Sequence, residues 1–439
     1  MGKVQKRGVR VTPRVYEKDA EDGDAVVAVR LEDVAELVRE GLLALSVQAG
    51  LAVVQELLEG DLVALCGPRG AHQPRRVAYR HGVEASSLVL GGRRVDVSRP
   101  RARSVAGKEL SLATWQALAS EELLGEVAVS RMLAGVSTRR YGDGGLEPVG
   151  TRVDAHAFGT SRSAVSRRFC ALTEQRLQAL LSRPVPAAIR IIYIDGVTFG
   201  ASTMIGAIGV DEAGYKHLLG IAEGATETTS VVTSLISGLK ERGLTAEHGL
   251  LVVLDGAKAL RKAVRDCFGD AALVQRCHVH KLRNVLDKLP ERERSFAKRK
   301  ITDAWRDVDA DRAIATLKAF ANTLTKTHPG AAESLREGLE ETVTITRLGL
   351  VSSDALWRTI RSTNPIEQSY SACRTHHRNV KRWQDGRHAM RWCAAGLEQA
   401  AQTWRRVRGY KQIPILDAAL RRHIQQLQPP QEAPVTIAA

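Results

Sequence analysis

Aromatic residues are scarce in this 439-residue chain: six Phe, seven Tyr and six Trp, 4% in all. Leu, Val, Ile and Ala must therefore fill any core, and the length allows two or three domains. Cysteine is sparse as well. Cys66, Cys170, Cys267, Cys277, Cys373 and Cys393 follow no disulfide-framework spacing, which argues against a stapled secreted scaffold and fits reduced thiols in a cytoplasmic protein. No apolar run reaches the length of a membrane helix, and the basic N-terminus has no apolar signal segment. Acidic residues are the minority charge, 49 against 64 Lys and Arg, leaving a net +15. Such an excess serves solubility or marks a polyanionic partner, most commonly nucleic acid.

Two apolar runs organise what is present. Ile191-Ile192-Tyr193-Ile194 ends on Asp195-Gly196, and Leu250-Leu251-Val252-Val253-Leu254 ends on Asp255-Gly256. Short β-rich runs bounded by Gly predict buried strands. Each delivers a carboxylate to its carboxyl end, where α/β sheets place their chemistry. An Asp-Gly after a strand is also an ordinary turn, and spacing alone leaves both roles open. Strands are expected at 191–194, 203–210 and 216–221, then a helix at 228–239, a strand at 250–254, a helix at 258–268 and a strand at 271–275. A three-stranded meander followed by alternating helix and strand is the order of a ribonuclease-H-like α/β core.

The rest of the chain divides around that core. Residues 1–28 are polar and charged and are expected to form a flexible arm. Residues 29–110 combine helical spacing from Leu31, and a second apolar segment, Leu51 to Leu65, expected as a helix continuing into a strand, with a basic hairpin. Leu88-Val89-Leu90 meets Gly91-Gly92, and residues 75–108 carry nine cations against two acids. Within 111–186, a helix ending at Gly135 precedes Val136-Ser137-Thr138-Arg139-Arg140. Further on, Gly159-Thr160 leads into Ser161, Arg162, Ser163, Ser166, Arg167 and Arg168. A Gly turn, a Ser/Thr cap and a helix with Ser and Arg on its first turns resembles a helix-turn-helix, with an exposed basic helix face as the plainer alternative. Pro184 and Pro186 separate this region from the first part of the core, 187–286. Residues 287–360 are charge-rich, helical and too long for a loop, so they predict a helical insertion. Residues 361–426 complete the core with basic helices that include Arg374, Lys381 and Arg382, and 427–439 form a Pro-containing tail expected to be disordered.

Phosphodiester chemistry needs charge neutralised on both the attacking and the leaving oxygen. Two Mg²⁺ ions (or Mn²⁺) about 3.5–4 Å apart supply this, held by a few carboxylates. Asp195 and Asp255 are candidates, and Glu367 in Ser362-Thr363-Asn364-Pro365-Ile366-Glu367 is a third. With Asn364 as N-cap and Pro365 at N1, Glu367 also fits the glutamate of a capping box. Gln275-Arg276-Cys277-His278-Val279-His280 contains a C-x-x-H, Cys277 and His280, with no second pair to complete a zinc site. A buried Cys beside a phosphate-directed His fits it better, with Arg276, Lys281 and Arg283 as cations facing DNA.

The segments 255–260, 275–285 and 362–367, with Ala134–Arg139 and the stretch around Tyr79-Arg80-His81-Gly82, resemble the signature blocks of Mutator-type bacterial insertion-sequence transposases. The resemblance implies an Asp-Asp-Glu triad, Asp195, Asp255 and Glu367, on a ribonuclease-H-like fold interrupted by helices. It implies His280 beside the active site. It also implies double-stranded DNA partners, both terminal inverted repeats and target, with a homodimer or higher oligomer acting at the nucleoid. The alternatives are a catalytically inactive DNA-binding regulator, and a ribonuclease-H-like nuclease without strand transfer.

Overall fold

The computed structural model describes residues 42–70, 76–147, 156–224, 226 and 228–428. The expected arm, the helix from Leu31 and nearly all of the expected tail lie outside them. The chain falls into two compact units, residues 1–172 and 173–439.

In the first unit, α1 (Leu42–Cys66) is one continuous helix through the second apolar segment, which does not pass into the expected strand. β1 (Ala78–Leu90) and β2 (Arg93–Ser104) form an antiparallel hairpin, and β3 (Glu109–Leu110) adds to β2. Gly91 and Gly92 both have positive φ, as the tight turn requires. A Cβ on Gly92 would lie 2.7 Å from the Val127 side chain. The hairpin packs on α1 through Leu58, Leu62, Ala102 and Leu112. α2 (Ala113–Leu118) and α3 (Glu121–Leu133) follow, and Ser120 caps α3. α4 (Arg162–Ser182) begins in this unit with the Ser- and Arg-bearing turns and ends just before Pro184.

The hairpin's cations are largely spent inside the unit. Arg80 pairs with Glu59, Arg94 with Glu121, and Arg99 and Arg101 with Glu109. Arg93 is buried and donates to the Glu147 carbonyl at 2.5 Å. The local surplus of charge is thus offset by Glu59, Glu109 and Glu121, which a count over 75–108 leaves out.

The second unit is built on a five-stranded sheet, ordered β6-β5-β4-β7-β8. The strands are β4 (Ile189–Phe199), β5 (Ser202–Asp211), β6 (Lys216–Gly224), β7 (Leu250–Leu254) and β8 (Ala272–Arg276). β4, β5 and β6 are antiparallel neighbours, whereas β4, β7 and β8 run parallel. Parallel pairs need crossovers, and α5 (Thr229–Glu241) and α6 (Lys258–Phe268) provide them. Their apolar faces cover one side of the sheet with Ile192, Ile194, Val252 and Leu254.

On the other side, Ile191, Tyr193, Val197 and Phe199 share a core with α12 (Asp354–Ile360), α13 (Asn364–His376), α14 (Gly386–Ala401) and α15 (Ile413–Leu427). Between β8 and α12 in the chain stand α7 (His278–Leu286), α8 (Glu291–Ala304), α9 (Ala310–Thr325), α10 (Pro329–Arg336) and the short α11 (Thr344–Arg347). Residues from Val285 to Val343 form their own core around Trp305. Ile345, Leu350, Leu356 and Trp357, expected in the insertion, instead join the core on the sheet.

One expectation is corrected. β4 does not end at Asp195-Gly196 but continues to Phe199, with Asp195 opposite Gly206 of β5. Val197 and Phe199 keep the strand alternation, so Gly196 is an interior strand position and not a terminator.

Candidate functional site

β4 and β7 are parallel, with Ile191, Ile192 and Tyr193 opposite Leu251, Val252 and Val253. β7 ends one residue before Asp255, and the Asp255 carboxylate lies near enough to Asp195 for its charge to act on it. Asp195 belongs to the Ile191–Phe199 face and is 8% exposed. Burial, then the charge of nearby Asp255, raises its carboxyl to a pKa of about 7. Asp255 follows the last residue of β7, and its Oδ1 accepts from the Ala257 N–H at 2.9 Å. The turn role is therefore filled at Asp255 but not at Asp195.

Glu367 reaches the same region from α13. Thr363, not Asn364, is the N-cap, and Pro365 lies in the first turn. The capping box is absent. The Thr363 N–H donates to Cys277 Sγ at 3.4 Å, while its hydroxyl donates to Glu367 Oε1. The Glu367 carboxylate is thus released from capping and held by a side chain. One turn on, Tyr370 Oη donates to the Asp195 carbonyl at 2.8 Å, fixing α13 to β4. Gly206 makes room for it: a Cβ there would lie 2.5 Å from that oxygen.

β8 and α7 bring the C-x-x-H. The Cys277 N–H donates to Leu254 O at 2.7 Å, and the His278 N–H to Arg361 O at 2.8 Å. His280 Nδ1 is 3.3 Å from Thr363 Oγ1 and 4.0 Å from Glu367 Oε1. A hydrogen bond with Cys277, and then the charges of Cys277, Glu367 and Asp195, outweigh desolvation and raise His280 to about 9. Burial pushes the Cys277 thiol up, but bonds from His280 and Thr363 leave it below its ordinary value. Cys277, His280 and Glu367 have ligand atoms within 4.8 Å of one another, a closeness the three carboxylates do not reach among themselves.

The donor set fits hard divalent cations. Three carboxylates converge from three elements, and the buried one is held toward its neutral form by burial and like charge, which a cation would relieve.

The expected DNA-facing residues divide. Arg139, Arg140, Ser161, Arg162, Ser163, Ser166 and Arg167 are exposed in the first unit, as are Arg283, Arg374, Lys381 and Arg382 in the second. Arg168 is tied to Glu121 at 3.0 Å and to the Gly159 carbonyl. Arg276 and Lys281 are buried: Arg276 donates to Glu337 O at 2.5 Å, and Lys281 Nζ donates to Ser334 O and Glu337 O. These two clamp α10 onto β8 and α7, because a cation shut off from water needs acceptors at hand. Sequence reasoning missed Thr363 and Tyr370. The signal lay beside Glu367, since residues three and four apart share a helix face.

A family model described as "Transposase, Mutator family" matches residues 27–407. Similar proteins include the transposase for insertion sequence element ISRM5 of Rhizobium meliloti (strain 1021). It is 26% identical over 369 residues, covering 82% of this chain and 88% of that protein. The transposase for IS6120 of Mycolicibacterium smegmatis is 27% identical over 57% of this chain and 77% of its own length. The transposase for IS1081 of Mycobacterium tuberculosis is 25% identical over 83% and 87%. Among the described residues, no helix is long and apolar enough to cross a membrane.

Proposed function

This chain belongs to the Mutator family of transposases, and on that premise we propose that it cuts and joins DNA at the ends of its own insertion sequence through Asp195, Asp255 and Glu367. The observation that supports this most is that Asp195 on β4, Asp255 just past the end of the parallel neighbour β7, and Glu367, held by Thr363, lie near enough for both other carboxylates to act on the Asp195 charge. The strand order and directions support a ribonuclease-H-like core. The three carboxylates would hold two Mg²⁺ ions, which supply charge neutralisation at the attacking and leaving oxygens.

Water attacks the phosphorus at the element end, the P–O3′ bond breaks, and a 3′-hydroxyl and a 5′-phosphate result. That hydroxyl then attacks a target phosphodiester, and the target's own 3′-oxygen leaves. His280, charged at neutral pH, holds positive potential beside Glu367. Thr363 orients the Glu367 carboxylate, and Tyr370 sets the depth of its helix on β4. Arg139, Arg140 and the exposed first turns of α4 would contact the inverted repeats in helix-turn-helix fashion, two ends being held by a dimer or larger assembly.

The test uses purified protein, Mg²⁺ and a labelled duplex carrying the terminal repeat that flanks its gene. Wild type should nick and join, and Asp255→Asn should bind equally and do neither. Equal cleavage by both proteins would reduce Asp255 to a turn residue. Binding without cleavage by either would leave a DNA-binding regulator.

A second reading rests on the tight Cys277, His280 and Glu367 group. A softer ion such as Zn²⁺ held there would claim Glu367 for structure. Metal analysis of the purified protein separates the two, since one tightly held zinc per chain would favour this arrangement.

A further inference from the structure

The stretch between α13 and α14, residues 377–385, combines rings and cations. Phe199 ends β4, and its ring meets His377 at 4.7 Å and Trp383 at 5.4 Å between centroids. His377 and His388 flank Trp383 at 5.4 and 5.5 Å. Gly200 lets the indole pack this closely, because a Cβ there would lie 2.8 Å from it. Trp383 is thus held from several sides yet remains partly exposed. On the same stretch Arg378, Lys381 and Arg382 are exposed, and among the described residues they make no ion pair. No acid occurs between His377 and Gln384.

Phe199 shares its face of β4 with Asp195, by strand alternation through Val197. Four residues at ~3.3 Å place the cluster about 13 Å along the strand from the Asp195 position. At ~3.4 Å per stacked nucleotide, that is within about four nucleotides. A fixed indole with exposed cations on the same stretch of chain is what a single strand needs: cations follow the phosphates and the ring takes a base face.

We infer that Trp383 is a positioning residue that stacks on an unpaired base of the DNA strand entering the Asp195–Asp255–Glu367 site, with Arg378, Lys381 and Arg382 on the neighbouring phosphates. This rests on the catalytic reading above. Opening the duplex at the element end exposes a base, and capture by Trp383 sets the position of the scissile phosphate.

The experiment is single-turnover cleavage of the terminal-repeat duplex by wild type, Trp383→Phe, Trp383→Ala, Trp383→Leu and Asp255→Asn. It is repeated on duplexes with one abasic residue at each of the first four positions on either side of the cut. On intact DNA, Trp383→Ala should cleave roughly 5- to 100-fold more slowly, and Trp383→Phe should keep most of the rate. Trp383→Leu, which retains apolar bulk, should match Trp383→Ala and serves if the alanine variant fails to fold. At one abasic position wild type should fall to the alanine variant's rate, because the stacking partner is gone. Full-rate cleavage by Trp383→Ala and Trp383→Leu, or a deficit that persists at every abasic position, would overturn the inference and leave Trp383 a packing residue. Cleavage by Asp255→Asn at the wild-type rate, or none by wild type, would instead strike the catalytic reading beneath it.

Discussion

Tyr370 Oη donates to the main-chain oxygen of Asp195 at 2.8 Å, so the backbone of one proposed catalytic carboxylate anchors the helix that carries another. The hydroxyl sits where a Cβ on Gly206 would intrude, at 2.5 Å. Tyr370→Phe removes the donor, a net loss of about 0.5–1.5 kcal/mol. It should slow cleavage roughly 2- to 10-fold if that energy fixes Glu367. Gly206→Ala overpacks the contact at about 1–3 kcal/mol. The two losses should combine to less than their sum, because the alanine methyl meets no hydroxyl in the double variant. A double-mutant cycle in urea unfolding, paired with single-turnover rates, measures this. Strict additivity would mean that the two residues do not share the contact.

Divalent cations should stabilise the fold through the same carboxylates. A ligand at 100 times its Kd adds about 2.7 kcal/mol. Thermal melts with Mg²⁺ or Mn²⁺ should rise for wild type and shift far less for Asp195→Asn, Asp255→Asn or Glu367→Gln. An equal rise in all four proteins would place cation binding elsewhere.

The order of strands and helices in the core was legible because each apolar run is short, β-rich and bounded by turn residues. The end of β4 was not, since Gly196 looks like a stop until Val197 and Phe199 are seen pairing with β5. The hairpin's charge misled for a related reason. Glu59, Glu109 and Glu121 lie outside the segment and reach it only through the fold. Asp195 and Asp255 were legible as a pair, but their proximity depends on β4 and β7 being parallel neighbours, which spacing cannot supply. At Glu367 the sequence allowed both a capping residue and a ligand. Moving the cap to Thr363, whose N–H is taken by Cys277, separates the two.

Lys281 and Arg283 stand two residues apart on α7 and should behave oppositely. Lys281 is fully buried with its ammonium on two carbonyls, and burial lowers its pKa to about 7. Lys281→Met leaves the Ser334 and Glu337 carbonyls without that donor and should cost about 1–3 kcal/mol of stability. Its effect on the salt dependence of DNA binding should be small. Arg283 is exposed, so Arg283→Ala should change stability by less than about 0.5 kcal/mol. If Arg283 contacts a phosphate, the salt slope of binding falls by about 1. Chemical unfolding and binding titrations over a salt series decide it. A changed salt slope in a fully stable Lys281→Met would return Lys281 to the DNA surface.

His278 gives the fold a defined response to acid. Its ring stacks on Trp305 at 4.0 Å between centroids, and its Nε2 lies 2.6 Å from Thr342 O. Burial lowers its pKa to about 3, with the bond to Thr342 opposing only in part. An unfolded histidine titrates near 6.5. Below about pH 6.5 the unfolded chain therefore takes up a proton that the folded chain refuses, and stability falls as the pH drops. The slope approaches about 1.4 kcal/mol per pH unit down to the folded pKa, and above about pH 7.5 this group contributes none. His278→Phe keeps a ring against Trp305 but cannot titrate. Carboxylates shift both proteins alike, so the informative quantity is the difference between wild type and variant in urea melts at pH 7.5, 6.5, 5.5 and 5. Wild type should lose about 1 kcal/mol more than the variant for each unit below pH 6. Parallel curves would show that the folded protein protonates His278 as readily as the unfolded chain, and that the ring is open to water.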